Sequence, residues 1–208
     1  MSTVYSFSGF ARVLIKNKIT FSIRDFLDPK KVDALIEKLI EKTCNEYTYV
    51  GAGIARACFI DGRSECAIKV NKEFYTDLSD EIARQDYLDF WGIDDGGWAF
   101  NDLNIVVKSK SPCCEQNYSE ISTYKRMLEE KSSFLDYVSK IYAVSSNWQV
   151  EIVEHCDYCY DNDCDRINFI CRNFEDTHDE NFGYNRQGKV VLLDFGMQKE
   201  KRFIWKLV

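Results

Sequence analysis

Behind Lys189, four apolar residues, Val190-Val191-Leu192-Leu193, run into the carboxylate of Asp194, and Asn181 lies thirteen residues before that aspartate. Asp176 precedes Asn181 by five positions, within Phe174-Glu175-Asp176-Thr177-His178-Asp179-Glu180-Asn181. A short apolar, β-branched run bounded by turn residues reads as a buried strand over Val190–Leu193. A carboxylate placed directly after such a strand is presented at its end. The fold must therefore bring a polar, acidic loop and the end of a buried strand into one neighbourhood.

The chain can build such a neighbourhood. Its 208 residues suffice for one domain, or for two small lobes sharing a core. An apolar content of 45% and an aromatic content of 14% belong to a folded protein and exclude a disordered one. Two prolines and ten glycines leave no room for a low-complexity linker. The net charge of −7 argues against binding nucleic acid through its phosphates, which needs Lys and Arg in excess. No apolar run approaches a membrane span, and Met1–Arg12 lacks a charged segment followed by an apolar one. Nine cysteines, an odd number, point to reduced thiols in the cytoplasm, with delivery into or expression in a host cell left open.

Local patterns set out the elements. Met1–Ile23 alternates weakly between apolar and polar residues and predicts an extra strand or hairpin. Asp28-Pro29 predicts a helix start, with Val32, Leu35, Ile36, Leu39 and Ile40 on one face. Tyr47–Val50 and Ala57–Ile60 read as strands around Gly51-Ala52-Gly53, and Asp61-Gly62 as a turn into a third strand over Glu65–Val70. Asn104–Lys108 reads as a short strand, Tyr118–Lys131 as a helix, and Tyr137–Val144 and Trp148–Val153 as two strands. Arg166–Phe174 reads as a short helix or turn. The order is strands, helix, strands, then the acidic loop.

Asp176-x₄-Asn181 followed by Asp194-Phe195-Gly196 resembles the catalytic loop and DFG motif of protein kinases. Upstream, Gly51-Ala52-Gly53-Ile54-Ala55-Arg56-Ala57 resembles the Gly-rich loop, with Arg56 or Ala57 where the third glycine would stand. Cys66-Ala67-Ile68-Lys69-Val70 resembles the V-A-I-K strand. The resemblance implies an α+β, bilobal kinase-like fold with an antiparallel N-lobe sheet and a strongly reduced C-lobe. Residues 1–45 would be an N-terminal extension. Residues 46–154 would form the N-lobe, with an insertion at 71–112, and residues 155–208 a minimal C-lobe.

The same resemblance implies an ATP-dependent Ser/Thr protein kinase. Gly51, Ala52 and Gly53 would approach the phosphates, and Lys69 would hold them while paired to Glu120, with Glu115 as the rival glutamate. Glu154, beside His155 at the hinge, would lie against adenine. Asn181 and Asp194 would bind Mg²⁺, and Asp176 would accept the substrate hydroxyl's proton. His178 would stand near the γ-phosphate or at the surface. Phe174 and Glu175 replace the usual His and Arg. Phe174 can fill the same apolar spine, whereas Glu175 cannot receive an activation-loop phosphate.

Only Met197–Val208 follows Gly196, so the A-P-E motif and the family's peptide-docking helices are not expected. Partners would be ATP and a protein substrate, without nucleic acid or membrane. A protein-binding module of pseudokinase type is the alternative, motivated by Phe74, Tyr75, Tyr87, Phe90, Trp91 and Trp98 in the insertion. Small-molecule phosphotransfer and nucleotidyl transfer on the same fold also stand. Separately, Cys156, Cys159 and Cys164 have a spacing that suits Zn²⁺, or they are free thiols.

Overall fold

A computed structural model describes residues 3–43, 47–52, 56–61, 65–71, 115–160, 164–175 and 177–195. Asp176, Gly53, Gly196, the expected strand Asn104–Lys108, nearly all of the 71–112 insertion and the tail Met197–Val208 lie outside these residues. The fold is mixed α+β with antiparallel pairing. The chain divides into two compact units, Met1–Cys114 with Tyr142–Val153, and Glu115–Ile141 with Glu154–Val208. Among the described residues, no helix is long and apolar enough to cross a membrane.

The first unit opens with β1 (Thr3–Val4) and α1 (Phe7–Lys16). The expected N-terminal strand or hairpin is thus mostly a helix. Ser6 caps it, its Oγ accepting the Gly9 N–H at 3.2 Å. Phe10, Val13 and Leu14, at i, i+3 and i+4, are its fully buried stripe. Helical spacing overrides the weak alternation that Tyr5, Phe7 and Phe10 suggest. A 3₁₀ turn at Ile23–Leu27 leads to α2 (Pro29–Thr43), which starts where Asp28-Pro29 predicts. The Asp28 carboxylate accepts the Lys30 N–H at 3.0 Å. Val32, Leu35, Ile36, Leu39 and Ile40 are all buried, as the periodicity requires.

Next come β2 (Tyr47–Ala52), β3 (Arg56–Asp61) and β4 (Cys66–Asn71), then β5 (Ile141–Val144) and β6 (Val150–Glu154). They make a six-stranded sheet in the order β1-β5-β6-β4-β3-β2. β5 and β6 are shorter than Tyr137–Val144 and Trp148–Val153. The turn between them closes through the Trp148 N–H on the Ser145 carbonyl at 2.9 Å, and Asp33 of α2 accepts from Ser146. Residues from α1 and α2 share one core with Phe59, Cys66, Ile68, Val70, Tyr142, Val150 and Ile152 of the sheet. α1 and α2 therefore supply one wall of this unit's core. Each large side chain buried there contributes roughly 1.5–3 kcal/mol by leaving water.

The second unit holds α3 (Glu115–Glu129), a 3₁₀ turn at Ser133–Asp136, β7 (Asp157–Tyr158), α4 (Asp165–Asn173) and a 3₁₀ turn at Asp179–Asn181. β8 (Phe182–Tyr184) and β9 (Val190–Leu192) complete it. These strands form a second sheet in the order β7-β8-β9. The β8–β9 turn is tied by the Asn185 carboxamide, which accepts from Gln187 and Lys189, and by Gly188 at φ +69°, a conformation that favours glycine.

Candidate functional site

The first unit builds one part of the candidate site as a cross-strand row. Gly51 of β2 faces Cys58 of β3, and Cys58 faces Lys69 of β4. The pairing of β2 with β3 shifts between Tyr49 and Gly51, a bulge just before the Gly-rich segment. Gly51 thus stands two strands from Lys69, roughly 10 Å away. Lys69 is only 9% exposed. A buried ammonium is stable only beside compensating charge or acceptors, which sets Lys69 apart from an edge lysine reaching solvent. Ile68 and Val70, its chain neighbours, belong to the core on the opposite face of the sheet.

The second unit places the other residues. Asn181 ends the 3₁₀ turn, and β8 begins at the next residue. Phe182 pairs with Leu192, and the Leu193 N–H donates to the Asn181 carbonyl at 2.7 Å. The β8–β9 register therefore sets Asn181 opposite Leu193, one residue before Asp194. The two residues that the resemblance names as metal ligands thus lie at the same end of one hairpin. His178 Nε2 lies 3.1 Å from Asn181 Nδ2, a contact that engages the carboxamide nitrogen rather than its oxygen. An amide oxygen and a carboxylate are the hard donors that Mg²⁺ takes, and the pair fits that ion. The hairpin is anchored behind by Ser139, whose N–H donates to the Leu192 carbonyl, and by Arg166, whose Nε donates to the Val190 carbonyl.

Phe195 is fully buried, with its ring 6.1 Å from Tyr124 of α3. Burial pushes the Tyr124 hydroxyl up to about 12; a main-chain bond at Ile141 opposes the shift and the Glu154 carboxylate adds to it. Phe174 is buried too, edge-on to Phe134 at 5.7 Å, and Glu175 is exposed.

The inner face of α3 differs from the expectation. The helix begins at Glu115, so Glu115 is its first residue and Glu120 lies in its second turn rather than opening it. Glu120 is fully buried, not a solvated helix acid, and Asn117 and Thr123 are buried beside Ile121, Tyr124 and Met127. Buried polar groups of this kind are satisfied by hydrogen bonds as a rule. Glu154, at the end of β6, is 3% exposed, its N–H donating to the Lys140 carbonyl at 2.8 Å.

Cys164 caps α4, its Sγ accepting the Ile167 N–H at 3.5 Å, while the Cys156 Sγ sits 3.8 Å from the Glu154 carbonyl and Cys159 is buried. Among the described residues, no three His, Cys, Asp or Glu side chains are placed to hold a metal ion.

Arg56 was legible in the sequence only as a stand-in for the third glycine, and Glu151 was missed. Arg56 opens β3 at 6% exposure, and Glu151, in the middle of β6, is fully buried. Their side chains pair at 3.7 Å. The signal for Glu151 was present in Val150-Glu151-Ile152-Val153, where one charge interrupts an apolar strand. Compared with protein-family models, curated proteins and solved structures, the chain finds no match.

Proposed function

We propose that this chain is a minimal ATP-dependent protein kinase that transfers the γ-phosphoryl group to a Ser or Thr hydroxyl of a protein, in the cytoplasm. The observation that carries the reading is the β8–β9 register, in which the Asn181 carbonyl accepts from Leu193 and Asn181 is set beside Asp194. An amide oxygen and a carboxylate at one hairpin end suit a Mg²⁺ that bridges phosphates. That ion, when bound, neutralises charge on the transferring group. Further support comes from the row Gly51–Cys58–Lys69, which puts a buried ammonium in register with a Gly-rich segment. Glu120, the carboxylate that the resemblance assigns to the lysine, is buried on the inner face of α3. The strand order also fits a kinase-like N-lobe, because the three-stranded meander β2-β3-β4 is followed by α3 and then by β5 and β6.

In this reading Lys69, oriented by Glu120, holds the α- and β-phosphates. Asn181 and Asp194 supply the oxygen ligands, and Glu154 marks the segment that lies against adenine. Asp176 orients the acceptor hydroxyl and takes its proton as the oxygen attacks the γ-phosphorus and ADP leaves. The test is transfer of labelled phosphate from ATP to protein, in wild type and in Asp176→Ala. Loss of a general base lowers such a rate by about 10²–10⁴-fold. Wild-type transfer in Asp176→Ala would overturn the assignment.

A further inference from the structure

We propose that His178 is a positioning residue, which turns the Asn181 carboxamide so that its oxygen rather than its nitrogen is offered to Mg²⁺; the proposal rests on the nucleotide-binding reading above and adds a residue to it. The two residues bracket one 3₁₀ turn, His178 just before it and Asn181 as its last residue. Three residues make one 3₁₀ turn, so side chains at i and i+3 come to lie over one another. Two contacts join this pair. The Asn181 N–H donates to the His178 carbonyl at 2.9 Å, and His178 Nε2 lies 3.1 Å from Asn181 Nδ2. Histidine and asparagine belong to the same compact unit, so the geometry is local.

A residue in the place of His178 commonly turns its side chain back to cap the first N–H groups of the turn. The His178 imidazole makes no such capping bond. Its Nε2 meets the side chain of Asn181 instead. An amide NH₂ group carries only donors. The contact is therefore a hydrogen bond only where Nε2 brings its lone pair, in a neutral ring with the proton on Nδ1. Ring tautomer and carboxamide orientation select each other.

Orientation matters because asparagine does not set it alone. The terminal torsion of the side chain is broad and roughly two-fold, so a half-turn exchanges oxygen for nitrogen at little intrinsic cost. Mg²⁺ takes oxygen ligands in near-ideal octahedral geometry, and an amide nitrogen would meet it with N–H groups. With Nδ2 on the ring, Oδ1 stands on the other branch of the carboxamide. The main chain of Asn181 is tied on both sides, its N–H to His178 and its carbonyl to the Leu193 N–H. Rotation of the carboxamide is the freedom that the imidazole restrains. This role differs from the γ-phosphate contact that the resemblance allows, since it acts through the metal whichever nucleotide is bound.

The experiment measures by calorimetry how much Mg²⁺ raises the affinity of the full chain for ADP and for ATP, and reads the His178 tautomer by ¹⁵N NMR. The chain has two histidines, so the signal lost in His178→Leu is that of His178. It should show the proton on Nδ1. In His178→Leu the gain that Mg²⁺ brings should shrink by about 3- to 10-fold, the worth of one hydrogen bond. The loss should be equal for ADP and ATP, with metal-free affinities unchanged. His178→Gln, whose side-chain oxygen can accept from Nδ2, should recover most of the gain. The imidazole is exposed and caps nothing, so both variants should fold. A proton on Nε2, an undiminished gain in His178→Leu, an equal loss in His178→Gln or a loss confined to ATP would each overturn the role of His178 while leaving the nucleotide reading intact. Absence of Mg²⁺-dependent nucleotide binding by wild type would overturn the reading itself, and this proposal with it.

Discussion

The two units hold their candidate site residues by different means. In the first, Lys69, Arg56 and Glu151 are fixed by burial on a sheet whose other face is closed by α1 and α2. In the second, Asn181 and Asp194 are fixed by the pairing of two three-residue strands and by a 3₁₀ turn. Much of the tethering around that hairpin is exposed: Lys189 and Arg166 both pair with Asp136, and Arg166 lies over the Tyr137 ring. Buried charges are costly to disturb, so the first arrangement ties site chemistry to folding. The second ties it to register, so that a local distortion can misplace a residue without exposing a buried charge. Damage should therefore show up as unfolding in one unit and as misplacement in the other.

The sharpest way to break this contrast is Glu151→Ala. Removing the carboxylate takes away the ion pair that the buried Arg56 guanidinium makes at 3.7 Å, and breaking one side of a buried pair costs about 3–5 kcal/mol. Chemical denaturation should show a loss of that size; a loss below about 1 kcal/mol would mean that burial does not hold this site.

Gly183→Ala probes the hairpin. A Cβ there would stand 2.8 Å from Cys156 Cβ, closer than real Cβ contacts come, and a tight 3.0 Å from the Asp157 carbonyl oxygen. Overpacking of this kind costs about 1–3 kcal/mol. The larger effect should be on Mg²⁺-dependent transfer, as the β7-β8-β9 pairing gives way and Asn181 moves off Asp194. Activity that falls only in proportion to the folded fraction would contradict the register argument.

The mildest change is Asp136→Asn. Hydrogen bonds from Lys189, then from Arg166, hold the Asp136 carboxyl below its usual range against the opposing effect of burial. Its pKa is lowered on folding, so its stabilisation is complete above the ordinary aspartate value near 3.8 and is lost as pH falls through the lower folded value. The pair is half-exposed, so the effect at neutral pH should stay under about 1 kcal/mol. Wild type and Asp136→Asn should converge in thermal stability in strong acid; a gap that widens there would reverse the sign of this account.

How far the sequence could be read follows from the same contrast. The apolar stripe of α2 was legible residue by residue, because Val32, Leu35, Ile36, Leu39 and Ile40 bury a purely apolar face behind an aspartate–proline start. The β2-β3-β4 meander was legible from its apolar strands and glycine-bearing turns. α1 was not, since its ten residues offer few turns of periodicity and its cap, Ser6, is a common residue. α3 was legible only in part. It buries Asn117, Glu120 and Thr123, and a search for apolar spacing passes over a polar inner face, so its start was placed three residues late. The spacing of Asn181 and Asp194 was plain in the sequence, but their adjacency needed the hairpin register. The Arg56–Glu151 pair joins β3 to β6, ninety-five positions apart, and no local pattern connects the two.

One small element has a practical consequence. Thr3–Val4 pairs with Val144 and Ala143 and so covers the outer edge of β5. An uncovered strand edge offers its unpaired amides and carbonyls to any other chain. Deleting the first five residues would turn β5 into such an edge, and an N-terminal affinity tag attached without a spacer would crowd the same pairing. Preparations altered there should self-associate, and protein tagged at the other terminus is the better starting point for testing the chemistry.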